Sequence, residues 1–523
     1  VGLCSLRKKL RASGPLRQKK SPQLVPQNQA PMKFRTLVLL LLQYSTCCLA
    51  QVHLGPGQTF PNIQAAVGAN AVQPGDTVFL HAGSYKGYQL VSDMNGTNTA
   101  WIVIKPYEND PIDISGGWQF VRCSYLKFQN LNFEGNTTHP GRLFSIDNGG
   151  SCTTQSKNII VDGCSFSKTT DAAATVAFKF AGVDIFQVTN CLFKNIPACE
   201  AMDFNTCHDG IIRGNRLEDC LSGGHIKGGS SNITMTQNLF VNASQAPWVA
   251  YELGGDTGAP YYCPDDTFEV KNLHFYSNII IGGYRGLALS SARNCNVINN
   301  TFYNCGQATM RFLTTSAMYP ALYGNKVENN LFAFGASAYF NGGTQPANAV
   351  SFSKNIYYSI LNTTFNGPYW DAPALDAIKD TNPLNHGSNT HMFVNGPGND
   401  FNLAPGSPAI GSGKAQTEPV ADFFGNPFSV TSRAIGAVEV KISTNAYPTV
   451  VDNARVPIII FPNPATEYIE VHPDGRSGSM EVWNSIGLKV LSSESSQRIP
   501  LGHLPSGVYY LKFENDFYPF VKL

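Results

Sequence analysis

The sequence predicts an all-β chain wound as a three-sided parallel coil, with a small β-sandwich at its C-terminal end. Three observations predict it. First, a short apolar strand followed by Asn or Cys, one residue and a large apolar side chain recurs. It falls at Leu131, Cys164, Cys191, Asn215, Asn238, Asn278, Asn300, Asn330 and Asn355, at intervals of 33, 27, 24, 23, 40, 22, 30 and 25 residues. Second, a charge occupies the middle of FKF, MDF, IKG and YEL, at Lys179, Asp203, Lys227 and Glu252, in steps of 24, 24 and 25 residues. Third, 48 glycines and 14% charged against 43% hydrophobic residues suit many short strands joined by tight turns. A period near 24 with irregular insertions fits a stacked coil. A propeller would need longer repeats, and a sandwich would not hold so strict a phase.

Taken in order, residues 1–50 hold nine Lys or Arg and no acid. The formal net charge of +1 therefore conceals 28 basic against 36 acidic residues in the remainder, a net of −8. Such a chain offers no general case for nucleic acid or an anionic membrane as partner. Met32 opens MKFRTLVLLLLQYSTCCLA, a basic start, an apolar run and a small residue at Ala50. This pattern predicts a signal peptide over 32–50 with cleavage after Ala50, and the run is too short for a transmembrane span. Residues 1–31 are expected to be a disordered upstream segment, and the mature protein an exported monomer without a membrane span.

Ten of the 13 cysteines follow Ala50, an even number in an oxidising setting. They form no CxxC pair, so there is no metal signature; calcium stays open, although Asp265 and Asp266 read as a turn. Cys164 and Cys191 hold equivalent places in successive repeats, about one strand spacing (~4.8 Å) apart. A disulfide could span that gap, but stacked buried thiols are the favoured reading.

Within the coil, expected over 51–442, residues 58–85 open on an amphipathic helix with Ile63, Ala66 and Val67 on one side. A PGD turn and a strand ending at GSY follow. The helix would cap the open end of the coil, which otherwise leaves apolar side chains and strand edges uncovered. The Asn of each repeat has a mechanism: it tolerates left-handed backbone, and its amide can bond the turns above and below. NDFNLAPGSPAIGSG and RAIGAVEV, between about Asp400 and Val440, should close the coil. Residues 443–457 read as a linker, and 458–523 as some six short strands of a sandwich.

PGDTVFLHAGSY, the Asn-phased repeats and the APGSPAI…RAIGAVE closure resemble right-handed parallel β-helix proteins of the pectate-lyase-like class. SIDNGG, FKFAGVD, MDFNTCHDG, HIKGGSSNIT, ELGGDTG and FEVKN resemble, more narrowly, an uncharacterised bacterial β-helix family. There QAPWVAY departs from an Arg more usual before ELGG. FPNPATEYIEV, MEVWNSIGLKVL and LPSGVYYLKF resemble the C-terminal sorting domain of the type IX secretion system. That resemblance implies engagement of the type IX machinery and release or attachment at the outer cell surface.

The charges suggest a site. Alternate side chains of a strand face opposite ways, so Lys179, Asp203, Lys227 and Glu252 are expected to rise as one column on an outer wall. Arg311 would follow one silent turn later, at the level of Ala288. The plainer reading is a ladder of exposed ion pairs, worth ~0–1 kcal/mol each. Against it, the flanking residues Ala177, Ala181, Ala201, Gly229, Ala250 and Gly254 are small, which leaves a groove. Trp248, Tyr261, Tyr262 and Tyr284 stand in neighbouring turns, where they could stack on sugar rings.

An extracellular polysaccharide is the expected partner, and β-elimination on a polyuronate the leading chemistry. Lys227, Lys179 and Arg311 would neutralise the uronate carboxylate. Asp203, Asn205, Glu252 and Trp248 would bind the sugar. Two flanking carboxylates would keep Lys227 charged, so His225 or His208 is the better base. Hydrolysis is weaker, because Asp203 and Glu252, two rungs and roughly 9–10 Å apart, sit at the edge of the ~6.5–9.5 Å inverting range. A non-catalytic glycan-binding or adhesin coil is the remaining alternative.

Overall fold

The computed structural model describes residues 51–440 and 459–522. Outside it, besides the chain start and 441–458, lie 109, 136–141, 168–175, 259–262, 264–266, 316–321, 343–345, 347, 371–378, 381–382, 462–464, 466, 473–478, 485–488, 495–497, 506, 514–515 and 523. The expected signal peptide and linker, and Tyr261, Tyr262, Asp265 and Asp266, therefore lie outside the described residues.

Short strands coil for about eleven turns, every ladder between successive turns parallel. One face starts with Gln51–Leu54, Thr77–Leu80 and Ile102–Pro106 and ends at Val350–Ser353. The other two faces join into one sheet, because Leu192–Asn205 and Arg216–Lys227 run unbroken round a corner. The wind is right-handed, as twisted parallel connections require.

The interior is built by the repeat. The large apolar residue of each motif points inward and stacks on its equivalent: Phe133 on Phe166 at 5.1 Å and Phe166 on Phe193 at 4.9 Å between ring centroids. This ladder is fully buried, each such side chain contributing about 1.5–3 kcal/mol. At the corner beside them, Asn215, Asn238, Asn278, Asn300, Asn330 and Asn355 form a buried file. Each Nδ2 up to Asn330 donates to the Oδ1 of the next, at 2.9–3.1 Å. The bonding half of the expectation holds, but the left-handed half moves by one residue. It is Gly214, Gln237, Ser277, Asn299, Asn329 and Lys354, each just before a ladder Asn, that take positive φ. Turning the chain and bonding between turns are thus divided between neighbours.

The predicted N-terminal helix is Ile63–Gly68, capped by Asn62, whose Oδ1 accepts from Ala65 N at 2.9 Å. It buries Ile63 and Ala66 against the core. The segment expected to close the coil instead runs back along its flank. Gln237 and Ser277 bond to Asp422 O and Ala421 O, Asn299 to Ala434 O and Gly436 O, and Gly436 N to Asn329 O. This strap crosses four turns, and its Arg433, fully buried, satisfies its guanidinium on Asn299 Oδ1 and the carbonyls of Gln416, Glu418 and Pro419. The satisfied positions of the corner file give it a continuous edge to follow.

The C-terminal unit has two antiparallel sheets. Ile459–Phe461, Tyr468–His472 and Arg498–Pro500 make one, and Ser479–Asn484, Lys489–Glu494, Gly507–Phe513 and Asp516–Lys522 the other. Ile469, Val471, Val482, Leu511 and Phe513 fill the space between them.

Candidate functional site

The charged wall exists, with a different member at its centre. In register up the wall stand Ser145, Lys179, Asp203, His225, Glu252, Ala288, Arg311 and Asn341. Lys227 is not in this column. It pairs with Asn205, two residues along the strand, so the expected Lys179–Asp203–Lys227–Glu252 stack is corrected to one with His225 in the third place. The cause is a register shift at the corner: Ile196 is opposite Cys220, but Glu200 is opposite Ser222. The turn IPACE holds two more residues than its successor, which advances every later position by two. The silent turn at Ala288 stands as expected.

His225 is held from two sides. Its Nε2 lies 2.9 Å from Asp203 Oδ1, an ion-pair contact without hydrogen-bond alignment, and its Nδ1 lies 3.3 Å from Glu200 Oε2. Lys179 Nζ pairs with the other oxygen of Asp203. Burial opposes protonation of His225, but Asp203 and then Glu200 outweigh it and raise its pKa to about 10. Burial would likewise raise Asp203, yet His225 and Lys179 hold it well below the usual carboxylate range. At neutral pH the imidazole is therefore a cation with both nitrogens engaged. That charge state disfavours the base role that the sequence reading assigned it.

A cleft of about 490 Å³ opens over this assembly, lined by Lys179, Glu200, Asp203, Asn205, His225, Lys227 and Trp248, with Thr257 and Gly258 on one side. Lys227 is the lining cation that has no ion-pair partner among the described residues. Its stem passes over Gly255, where an added Cβ would meet Lys227 Cδ at 3.0 Å. Beside it Asn205 lines the cleft, and its buried Oδ1 has no hydrogen-bond partner among the described residues.

Glu269 braces this corner. Fully buried, it accepts from Thr257 N at 3.0 Å, Thr257 Oγ1 at 2.9 Å and Gly228 N at 3.2 Å. It thereby ties the cleft-side loop to the turn that carries Lys227.

The remaining candidates divide. Trp248, 41% exposed, edges the cleft. Glu252 follows His225 in the column, so Asp203 and Glu252 remain two rungs apart. Arg311 lies outside the cleft lining, two rungs beyond Glu252, and bonds Asn341 Oδ1 through Nε at 3.1 Å. His208 is on another face, between Asp184 and Ser231, with Nδ1 2.9 Å from Ser231 Oγ. Glu200 was missed. Its signal in the sequence was the lengthened turn IPACE, which places a carboxylate at a corner facing the next rung. Among the described residues no three His, Cys, Asp or Glu side chains gather as a metal cage, and no helix is long and apolar enough to cross a membrane.

Residues 104–255 match the family described as right handed beta helix region, and residues 459–522 match the secretion system C-terminal sorting domain. The chain is a right-handed β-helix protein with a type IX sorting domain. That domain marks the β-helix protein as secreted or carried on the cell surface. No curated protein sequence matches it. Among solved structures it is similar to the alginate lyase from Paenibacillus sp. str. FPU-7, at 13% identity and TM-score 0.33 over 48% of this chain and 95% of that one. It is similar also to the PL6 family alginate lyase AlyGC, at 13% and 0.36 over 77% of this chain and 60% of that one. A third likeness is the tailspike protein of E. coli bacteriophage HK620, in complex with a pentasaccharide, at 12% and 0.39 over 69% and 64%.

Proposed function

We propose that this β-helix protein acts at or outside the cell surface on an acidic polysaccharide laid along the cleft, by β-elimination, with Lys227 as the group that meets the uronate. The observation that carries this reading is the contrast among the cleft's charges. Lys179, Asp203, His225 and Glu200 are spent on one another, whereas Lys227 has no ion-pair partner among the described residues. The expected flanking carboxylates are not in its column, which holds Asn205 instead. Its amine is therefore available either to neutralise a uronate carboxylate or to take the proton beside it. The Trp248 ring, partly exposed in the same lining, supplies a stacking face for a sugar.

A second reading, capture of the same polysaccharide without cleavage, is favoured by His225. With that imidazole fixed as a cation and His208 on another face, neither predicted base is available in the cleft. Incubating residues 51–523 with a panel of polyuronates and neutral glycans separates the readings. Rising ultraviolet absorbance from unsaturated sugar ends supports elimination. Retention without new ends supports capture, and new reducing ends without absorbance would replace both with hydrolysis.

A further inference from the structure

We propose that the same wall carries a second, distal saccharide subsite, formed by Tyr339, Tyr369, Arg311 and Arg285, which takes a ring and a carboxylate further along an acidic glycan. Its substrate class rests on the reading of the cleft; its geometry does not.

Tyr339 and Tyr369 are register partners on the last two strands of the wall, and their rings stack at 5.7 Å and 18°. Their neighbours Phe340 and Trp370 point the opposite way, into the core, which fixes the tyrosines on the outer face. Tyr369 is 65% exposed, so a ring already held flat by its partner presents a wide face to solvent. Sugar rings offer apolar C–H faces to such a platform.

Charge stands next to it. Arg311 is three rungs from His225, roughly 14 Å along the coil. The Asn341 amide clips it to the platform, accepting from Arg311 Nε at 3.1 Å and donating to Tyr339 Oη at 2.8 Å. Arg285 lies on the strand before, over the Tyr284 ring at 4.9 Å, held by Gln307 and by Pro247 O. The two guanidiniums repel each other, and Glu252 acts on Arg311 through space without pairing. Neither has a carboxylate within ion-pair distance among the described residues. Two guanidiniums on neighbouring strands, neither in an ion pair among the described residues, match a carboxylate that arrives with the ligand.

The test is affinity electrophoresis of the full mature chain through gels containing a polyuronate or a neutral glycan. It compares wild type, Lys227→Ala, Arg311→Ala, Tyr369→Ala, Tyr369→Phe and the Lys227→Ala/Tyr369→Ala pair. Loss of the Tyr369 platform or of Arg311 should weaken retardation on the order of tenfold. Tyr369→Phe, which keeps the stack, should migrate as wild type, and Lys227→Ala should keep a residual retardation that the double variant loses. Retardation unchanged by Arg311→Ala and Tyr369→Ala, with Lys227→Ala abolishing it, overturns the distal subsite and leaves the cleft reading standing. The reverse pattern removes the cleft reading and keeps the subsite. A wild type unretarded by either gel overturns both.

Discussion

Nε2 of His225 stands 2.9 Å from Oδ1 of Asp203, one rung below it on the outer wall, and this contact sets the electrostatics of the whole cleft. It turns the imidazole from a candidate base into a structural cation. With Glu200 on the other nitrogen and Lys179 on the other oxygen, four charges neutralise one another.

Stability should therefore depend on alkaline pH through His225. Its folded pKa of about 10 lies above the ordinary 6.5, so its contribution is fully present below pH 6.5 and is lost as pH rises towards 10. Asp203, depressed below 3.8, contributes above that pH and loses its effect on acidification. Replacing His225 by Ala should cost about 3–5 kcal/mol, since Glu200 and Asp203 lose a buried partner, and should flatten the alkaline limb. Thermal melts of both chains from pH 5 to 10 check this. An unchanged alkaline slope in the variant would assign that limb to other groups.

The Asn file should be the costliest place to cut the coil. Asn300 donates to Phe275 O at 2.8 Å and to Asn330 Oδ1 at 2.9 Å, and accepts from Asn278 N at 2.8 Å. Asn300→Ala orphans buried groups on two adjacent turns, so a loss of at least about 3 kcal/mol is expected in urea unfolding. A loss within ~1 kcal/mol would mean that the turns close without the file.

The cysteines give a third outcome. Cys152 and Cys263 form a disulfide, and the other eight described cysteines are buried thiols outside any disulfide. Residues 51–523, denatured without reductant, should titrate eight thiols, and ten after reduction. The native chain after reduction should expose chiefly the Cys152 and Cys263 thiols. Fewer than eight before reduction would show a second bridge, with Cys164 and Cys191 the first pair to inspect.

Much of this architecture was legible because it repeats. The motif from Cys164 to Asn355 fixed the stacking, and the favoured stacked thiols at Cys164 and Cys191 are what the coil contains. The charge column was legible to within one register slip. Equal steps from Asp203 to Lys227 suggested equal turns, whereas the corner IPACE spends two extra residues that strand periodicity does not reveal. Glu200 was hidden for the same reason, because it rejoins the ladder only after the register shift. The Cys152–Cys263 bridge joins loops 111 residues apart, for which the repeat carries no phase. The strap over residues 404–440 looked like an end cap because its contacts are to backbone edges and corner amides, which leave no periodic mark.

The most direct test of the central claim compares unsaturated-end formation from a polyuronate by wild type and Lys227→Ala at equal concentration. Removing an unpaired side chain should leave the unfolding free energy within the ordinary range for a surface change, about ±0.5 kcal/mol. The account predicts a fall in rate of at least about a hundredfold at that unchanged stability. A Lys227→Ala chain that forms unsaturated ends at the wild-type rate would contradict it.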